Sequence, residues 1–159
     1  MKKTTKIILI AFLFTGISLL YKSDIFAQQE QINKFNTIVK INNDGSVNIK
    51  EEITYDFGDN LRHGIIRTIP TIKINEKGEK FKITIKDISV FKDSGEPHKF
   101  NVIKKGSSGE MELKIGDPDK KVSGENFYEI NYLVLGGLTY FEDYDEFYWN
   151  FTGNQWDVP

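Results

Sequence analysis

The 159-residue chain contains no cysteine. It can therefore hold no disulfide, no thiolate nucleophile and no cysteine-ligated metal. Histidine is nearly absent as well: His63 and His98 are the only two, too few for a histidine-rich zinc site. No Gly-x-Ser-x-Gly elbow, phosphate loop or His-Glu-x-x-His segment occurs. Arginine is confined to Arg62 and Arg67, and no basic residue follows Lys121. No stretch beyond residue 30 sustains a helical period. The expectation is a protein without transition metal or cofactor, and without a helical core.

The one long apolar run stands at the N-terminus. Lys2, Lys3 and Lys6 precede residues 7–20, an uncharged run of 14 residues, and Ala27 ends a cleavage site before Gln28. This order matches a secretory signal peptide, and the run is shorter than the roughly 20 residues a spanning helix needs. The rival is an uncleaved signal-anchor, because Gly16 and Ser18 barely interrupt the run and Ile25 suits the cleavage site poorly. Residues 1–27 thus read as a signal-peptide helix and 28–159 as one exported domain. Beyond residue 27 the chain carries 17 basic and 22 acidic residues, a net charge of −5, which argues against a nucleic-acid partner.

Downstream the chain alternates with a period of two. Val47, Ile49, Ile53, Tyr55 and Phe57 share one parity, interrupted only by Glu51. Phe81, Ile83 and Ile85 share a face, after which the parity changes to Ile88 and Val90. Tyr128, Ile130, Tyr132 and Val134 form a third set. Such runs, rich in β-branched and aromatic residues, are half-buried strands.

Turn residues fall between these runs. The segment "NNDGS" at 42–46 predicts a hairpin with a type I′ turn at Asp44–Gly45, and "NEKGE" at 75–79 predicts another. The triplet Ser-Gly-Glu occurs three times, at 94–96, 108–110 and 123–125. The strands between the triplets share no pattern, so these are ordinary turns rather than a functional repeat. With a further turn at Gly136–Gly137, the chain reads as seven to nine strands. The expected class is all-β, an antiparallel β-sandwich of immunoglobulin-like or Greek-key type.

Eight of the chain's aromatic residues crowd into positions 140–156. Alternation predicts a strand over 146–152, with Phe147, Trp149 and Phe151 turned into the core and Tyr148 and Trp156 left exposed. A turn at 152–155 would then start a partner strand at Trp156. That partner would end after three residues, so the sequence reads as a domain truncated at its C-terminal end.

Three blocks, "INNDGSVNIKEEITYDF", "HGIIRTIP" and "EFYWNFTGNQWDVP", together resemble the N-terminal domain of the YciQ-like predicted membrane proteins, domain of unknown function 2207. The tail block, with its Trp-Asn-x-Thr-Gly-x-x-Trp-Asp pattern, is the most specific. The resemblance implies a signal peptide, an extracytoplasmic β domain and later transmembrane helices. It implies no reaction and no catalytic residue.

Three groups are candidate sites. Arg62, His63 and Arg67 gather in "NLRHGIIRTIP" and could contact an anion or an acidic polymer; the plainer reading is that Arg67 pairs with an acid of the C-terminal half and fixes a corner. Tyr148, Trp156 and Asp157 could stack on a sugar or anchor a partner. Glu142, Asp143, Asp145 and Glu146 form an acidic loop that could hold calcium or supply a glycosidase pair, although a solvated loop explains it as well. The leading expectation is a non-enzymatic extracytoplasmic module at the outer face of a bacterial membrane, binding a protein or cell-wall polymer. The alternative is a carbohydrate-active envelope enzyme using residues 142–146.

Overall fold

A computed structural model describes residues 29–159 other than 76, 107, 154, 155, 157 and 159. The expected signal helix therefore lies outside the described residues, as does Asp157. The described chain is built from antiparallel strands, and among the described residues no helix is long and apolar enough to cross a membrane.

The larger sheet has four strands, β1 (Gln31–Ile41), β2 (Val47–Asp56), β9 (Glu125–Leu135) and β6 (Thr84–Phe91), in the order β1-β2-β9-β6. The smaller has three, β3 (Ile65–Pro70), β8 (Glu110–Ile115) and β7 (Phe100–Lys105), in the order β3-β8-β7. Two short hairpins accompany them: β4 (Ile72–Ile74) with β5 (Lys80–Lys82), and β10 (Leu138–Tyr140) with β11 (Asp145–Phe147). The strands thus outnumber the expectation, chiefly through these short pairs.

Period-two alternation decides which face is buried. On β2, Val47, Ile49, Glu51, Ile53 and Tyr55 are buried, and on β9 Tyr128, Ile130, Tyr132 and Val134. The smaller sheet contributes Ile65 and Ile69 from β3 and Met111, Leu113 and Ile115 from β8, and the apolar members of both sheets form one cluster. The parity change between Ile85 and Ile88 is a bulge: the β6–β9 register shifts between Lys86 and Ser89, and Asp87 adopts a φ of 51°. A short polar side chain tolerates this left-handed backbone better than a branched one does.

Residues 42–46 do form a hairpin, but not with a type I′ turn. Asp44 is not in the left-handed region; Gly45 alone is, at φ 78°. Asn42 N donates to Ser46 O at 2.8 Å and Gly45 N to Asn42 O at 3.0 Å, the pattern of a three-residue loop closed by a left-handed glycine. Residues 92–96 repeat it, with Lys92 N to Glu96 O and Gly95 N to Lys92 O both at 2.9 Å.

At the start of the smaller sheet, Gly64 and Gly116 face one another so closely that a Cβ on Gly64 would lie 1.9 Å from Ile115 O. A Cβ on Gly116 would lie 1.8 Å from His63 O. Backbone meets backbone here, and no side chain can yield.

The tail departs from the expected strand. Only residues of β11 pair, with β10, and positions 148–153, 156 and 158 are irregular. Instead the tail follows the inner face of the larger sheet. A Cβ on Gly137 would press on the Phe147 ring, Phe151 O reaches the middle of the core at Arg67, and the Trp156 ring lies 6.3 Å from that of Tyr55. Trp156 is half-buried rather than exposed, against Phe35 and Tyr55. The aromatic alternation reflects this packing, without ladder hydrogen bonds. Phe147 and Phe151 are half-buried against the core and Trp149 is buried.

Candidate functional site

Arg62, His63 and Arg67 do not form one site. Arg62 sits at the surface, where its Nε donates to Glu30 Oε1 at 2.7 Å; Glu30 Oε2 accepts from Tyr55 OH at 3.0 Å. Burial opposes ionisation of Glu30, but the hydrogen bonds from Arg62 and Tyr55 hold its carboxyl below the usual range. His63 is exposed and its Nδ1 lies 2.9 Å from Lys120 O.

Arg67 is instead directed inward. Side chains on β3 alternate, and Arg67 has the parity of Ile65 and Ile69. It is 1% exposed, and its partner is Glu51 on β2, 0% exposed. Nε donates to Glu51 Oε2 and Nη2 to Oε1, each at 2.7 Å. The acid thus comes from the N-terminal half, which corrects the expectation of a C-terminal partner. The tail still takes part: Nη2 also donates to Phe151 O at 2.9 Å, and Nη1 to Thr68 O at 2.8 Å. Tyr132 OH completes the group, donating to Glu51 Oε1 at 2.6 Å.

Two charges inside a core cost several kcal/mol each to desolvate, and a bidentate pair with further hydrogen bonds offsets that cost. Burial works against the Arg67 charge, but the Glu51 bonds and charge outweigh it and raise its pKa. Burial, then the Glu51 charge, push the Tyr132 hydroxyl far above the usual phenol range. Trp149 Nε1 acts on Tyr132 in the opposite direction, yet it does not meet hydrogen-bond geometry with any partner. Among the described residues it is the one buried side-chain polar atom left without one.

The sequence pattern marked Glu51 only as an interruption. What it could not reveal was that the interruption and Arg67, 16 positions later, are two halves of one pair. Tyr132 and Trp149 read simply as core aromatics.

Beside Arg67 lies a small cleft of about 180 Å³, lined by residues that include Thr68, Glu110, Asn150 and Trp156. Tyr148 is 83% exposed. The acidic loop projects from the β10–β11 hairpin: Glu142, Asp143, Asp145 and Glu146 are all exposed, and none joins an ion pair among the described residues. Among the described residues no cluster of three or more histidines and acids could hold a metal.

The network joins all three sequence blocks: Glu51 from the first, Arg67 from the second and Phe151 from the third. The family described as "Predicted membrane protein (DUF2207) N-terminal domain" matches residues 31–159. The chain belongs to this family. It is also 28% identical over 153 residues to the "Uncharacterized protein YciQ" of Escherichia coli (strain K12), an alignment covering 94% of this chain and 24% of YciQ. The chain therefore spans about a quarter of that relative's length. No solved structure matches the chain significantly. Membership of this family ties the chain to a membrane protein and leaves the chemistry of the site to its own geometry.

Proposed function

We propose that residues 28–159 form a non-enzymatic β-sandwich module on the extracytoplasmic side of a membrane protein, serving binding or assembly at the cell envelope. The observation that carries this reading is the way the buried charges are used. Arg67 spends its bonds on Glu51 and on the backbone carbonyls of Thr68 and Phe151, so the most deeply buried ionisable pair is engaged in architecture. A general acid or base needs a proton that can be exchanged with a substrate. The acidic loop gives the carbohydrate-enzyme alternative little support, because its carboxylates are exposed rather than opposed across a cleft.

The sandwich reading draws on two antiparallel sheets whose inner faces supply one apolar cluster. The outward location draws on the lysine-led apolar run at 7–20. Protease treatment of intact cells and of spheroplasts tests the location. Digestion of the domain in spheroplasts with the cytoplasm still sealed is the expected result; protection until lysis would contradict it.

A further inference from the structure

The two ends of the larger sheet differ in character. At one end Glu30 and Trp156 both contact Tyr55. At the other lie the 42–46 hairpin and the β10–β11 tip, which touch, since the Tyr140 hydroxyl would lie 2.2 Å from a Cβ on Gly45. Strand β1 runs from one end to the other, 11 residues or roughly 35 Å of extended chain.

Several exposed apolar side chains lie at the end away from Glu30 and Trp156. Ile41, Ile74, Phe81, Tyr140, Phe141 and Tyr144 are there. Among these, the β10–β11 tip carries a ring stack. Phe141 and Tyr144 stack with ring centroids 4.7 Å apart and planes at 20°, and Phe141 N donates to Tyr144 O at 2.9 Å. Each ring covers one face of the other; Tyr140, Phe141 and Tyr144 are 66%, 46% and 59% exposed. The rings are interleaved with the four carboxylates of the loop, which form no ion pair among the described residues.

We propose that the β10–β11 tip is a docking surface for a basic polypeptide segment. Its lysine or arginine side chains lie across Tyr140, Phe141 and Tyr144 and pair with Glu142, Asp143, Asp145 and Glu146. Charge complementarity selects this partner. Aromatic faces attract cations and accept the aliphatic stems of long basic side chains, and carboxylates at the rim of those faces supply the matching charge. The same carboxylates repel an anionic lipid surface or a polyanion. A preformed tip also loses little conformational freedom on binding. The proposal rests on the extracytoplasmic-module reading for one point alone. If membrane segments adjoin the domain at its chain ends, the tip is its membrane-distal extremity and meets partners from that side.

The test is a titration of the 159-residue chain with a short synthetic peptide of alternating arginine and serine, followed by NMR shifts. The same peptide with citrulline for arginine serves as the uncharged control. Binding of the arginine peptide alone, with shifts centred on residues 140–148 and weakening as salt rises, is the expected result. The double variant Phe141→Ala/Tyr144→Ala should weaken binding about tenfold, and Glu142→Gln/Asp143→Asn/Asp145→Asn/Glu146→Gln should abolish it. Leu61→Ser, exposed beside Arg62 near the Glu30 end, should leave it unchanged, and unaltered melting temperatures would show that the variants fold. Absence of binding, equal binding of both peptides, or binding that survives the tip substitutions would overturn the proposal. So would binding of phosphatidylglycerol vesicles or of a chitin oligosaccharide in place of the peptide. Because the titration is independent of cellular location, its failure removes the docking surface and leaves the protease result standing. A cytoplasmic location would in turn remove the membrane-distal placement and leave the titration standing.

Discussion

Glu51 and Arg67 meet across the core of the domain through two hydrogen bonds of 2.7 Å each, one to either carboxylate oxygen. The pair joins a strand of the larger sheet to a strand of the smaller, and through Phe151 O it also holds the tail. Removing one partner leaves the other charge buried and uncompensated, so Glu51→Leu or Arg67→Met alone should destabilise by about 3–5 kcal/mol. The apolar pair Glu51→Leu/Arg67→Met should recover much of that loss. Urea denaturation of the single and double variants measures it, and additive losses in the double variant would count against a coupled pair.

The facing glycines set a second expectation. Gly64 and Gly95 both have positive φ, 133° and 79°, so alanine strains either backbone by about 1–2 kcal/mol. Only at Gly64 does the new Cβ strike a backbone oxygen; at Gly95 nothing lies within 4 Å. Gly64→Ala should lower the melting temperature well beyond Gly95→Ala. Equal shifts would mean that the two strands separate without cost.

Much of the core was legible in the chain. The parities of β2 and β9 appear as written, and the parity change after Ile85 is the bulge at Asp87. Strand β1 was legible only as the first arm of the 42–46 hairpin, because an edge strand lies largely in solvent and Ile38, Val39 and Ile41 remain exposed along it, so no clean alternation is imposed. The tail misled for a different reason. Alternation around Trp149 is real, but it arises from packing on a sheet face, and periodicity carries no information on whether the backbone is paired. Charge pairing across 16 positions depends on which strands become neighbours, which no local pattern encodes.

His98 provides a pH handle. It stacks on Tyr128, ring centroids 5.0 Å apart. Burial lowers its pKa, the Lys92 charge adds to this, and the Phe127 carbonyl opposes. The unfolded chain therefore binds the proton first. Its contribution is fully present above about pH 6.5 and is lost as pH falls from there through the lower folded value. Urea midpoints between about pH 5 and 7.5 should decline on acidification in the native chain, and less so in His98→Gln. Parallel declines would assign the effect to other groups.

The tyrosines offer a second window. Burial, and to a smaller extent Tyr55, raise the Tyr128 hydroxyl, while burial and the Glu51 charge raise Tyr132. Both should stay protonated well past the usual phenol range of about 10. With folded values raised, their contribution is present below that pH and lost as pH climbs through the folded values. Spectrophotometric titration should show at least two tyrosines, Tyr128 and Tyr132, ionising only with unfolding. Smooth titration of all of them in the folded chain would contradict this.

Arg67 draws the three sequence blocks into one structure and secures the tail. Hydrogen exchange of the tail amides, compared between the native chain and Glu51→Leu/Arg67→Met, tests it most directly, because that variant keeps an apolar core while Phe151 O loses its donor. Faster exchange across 149–156 with the β2 and β9 amides still protected is the expected result. Unchanged tail protection would contradict the claim.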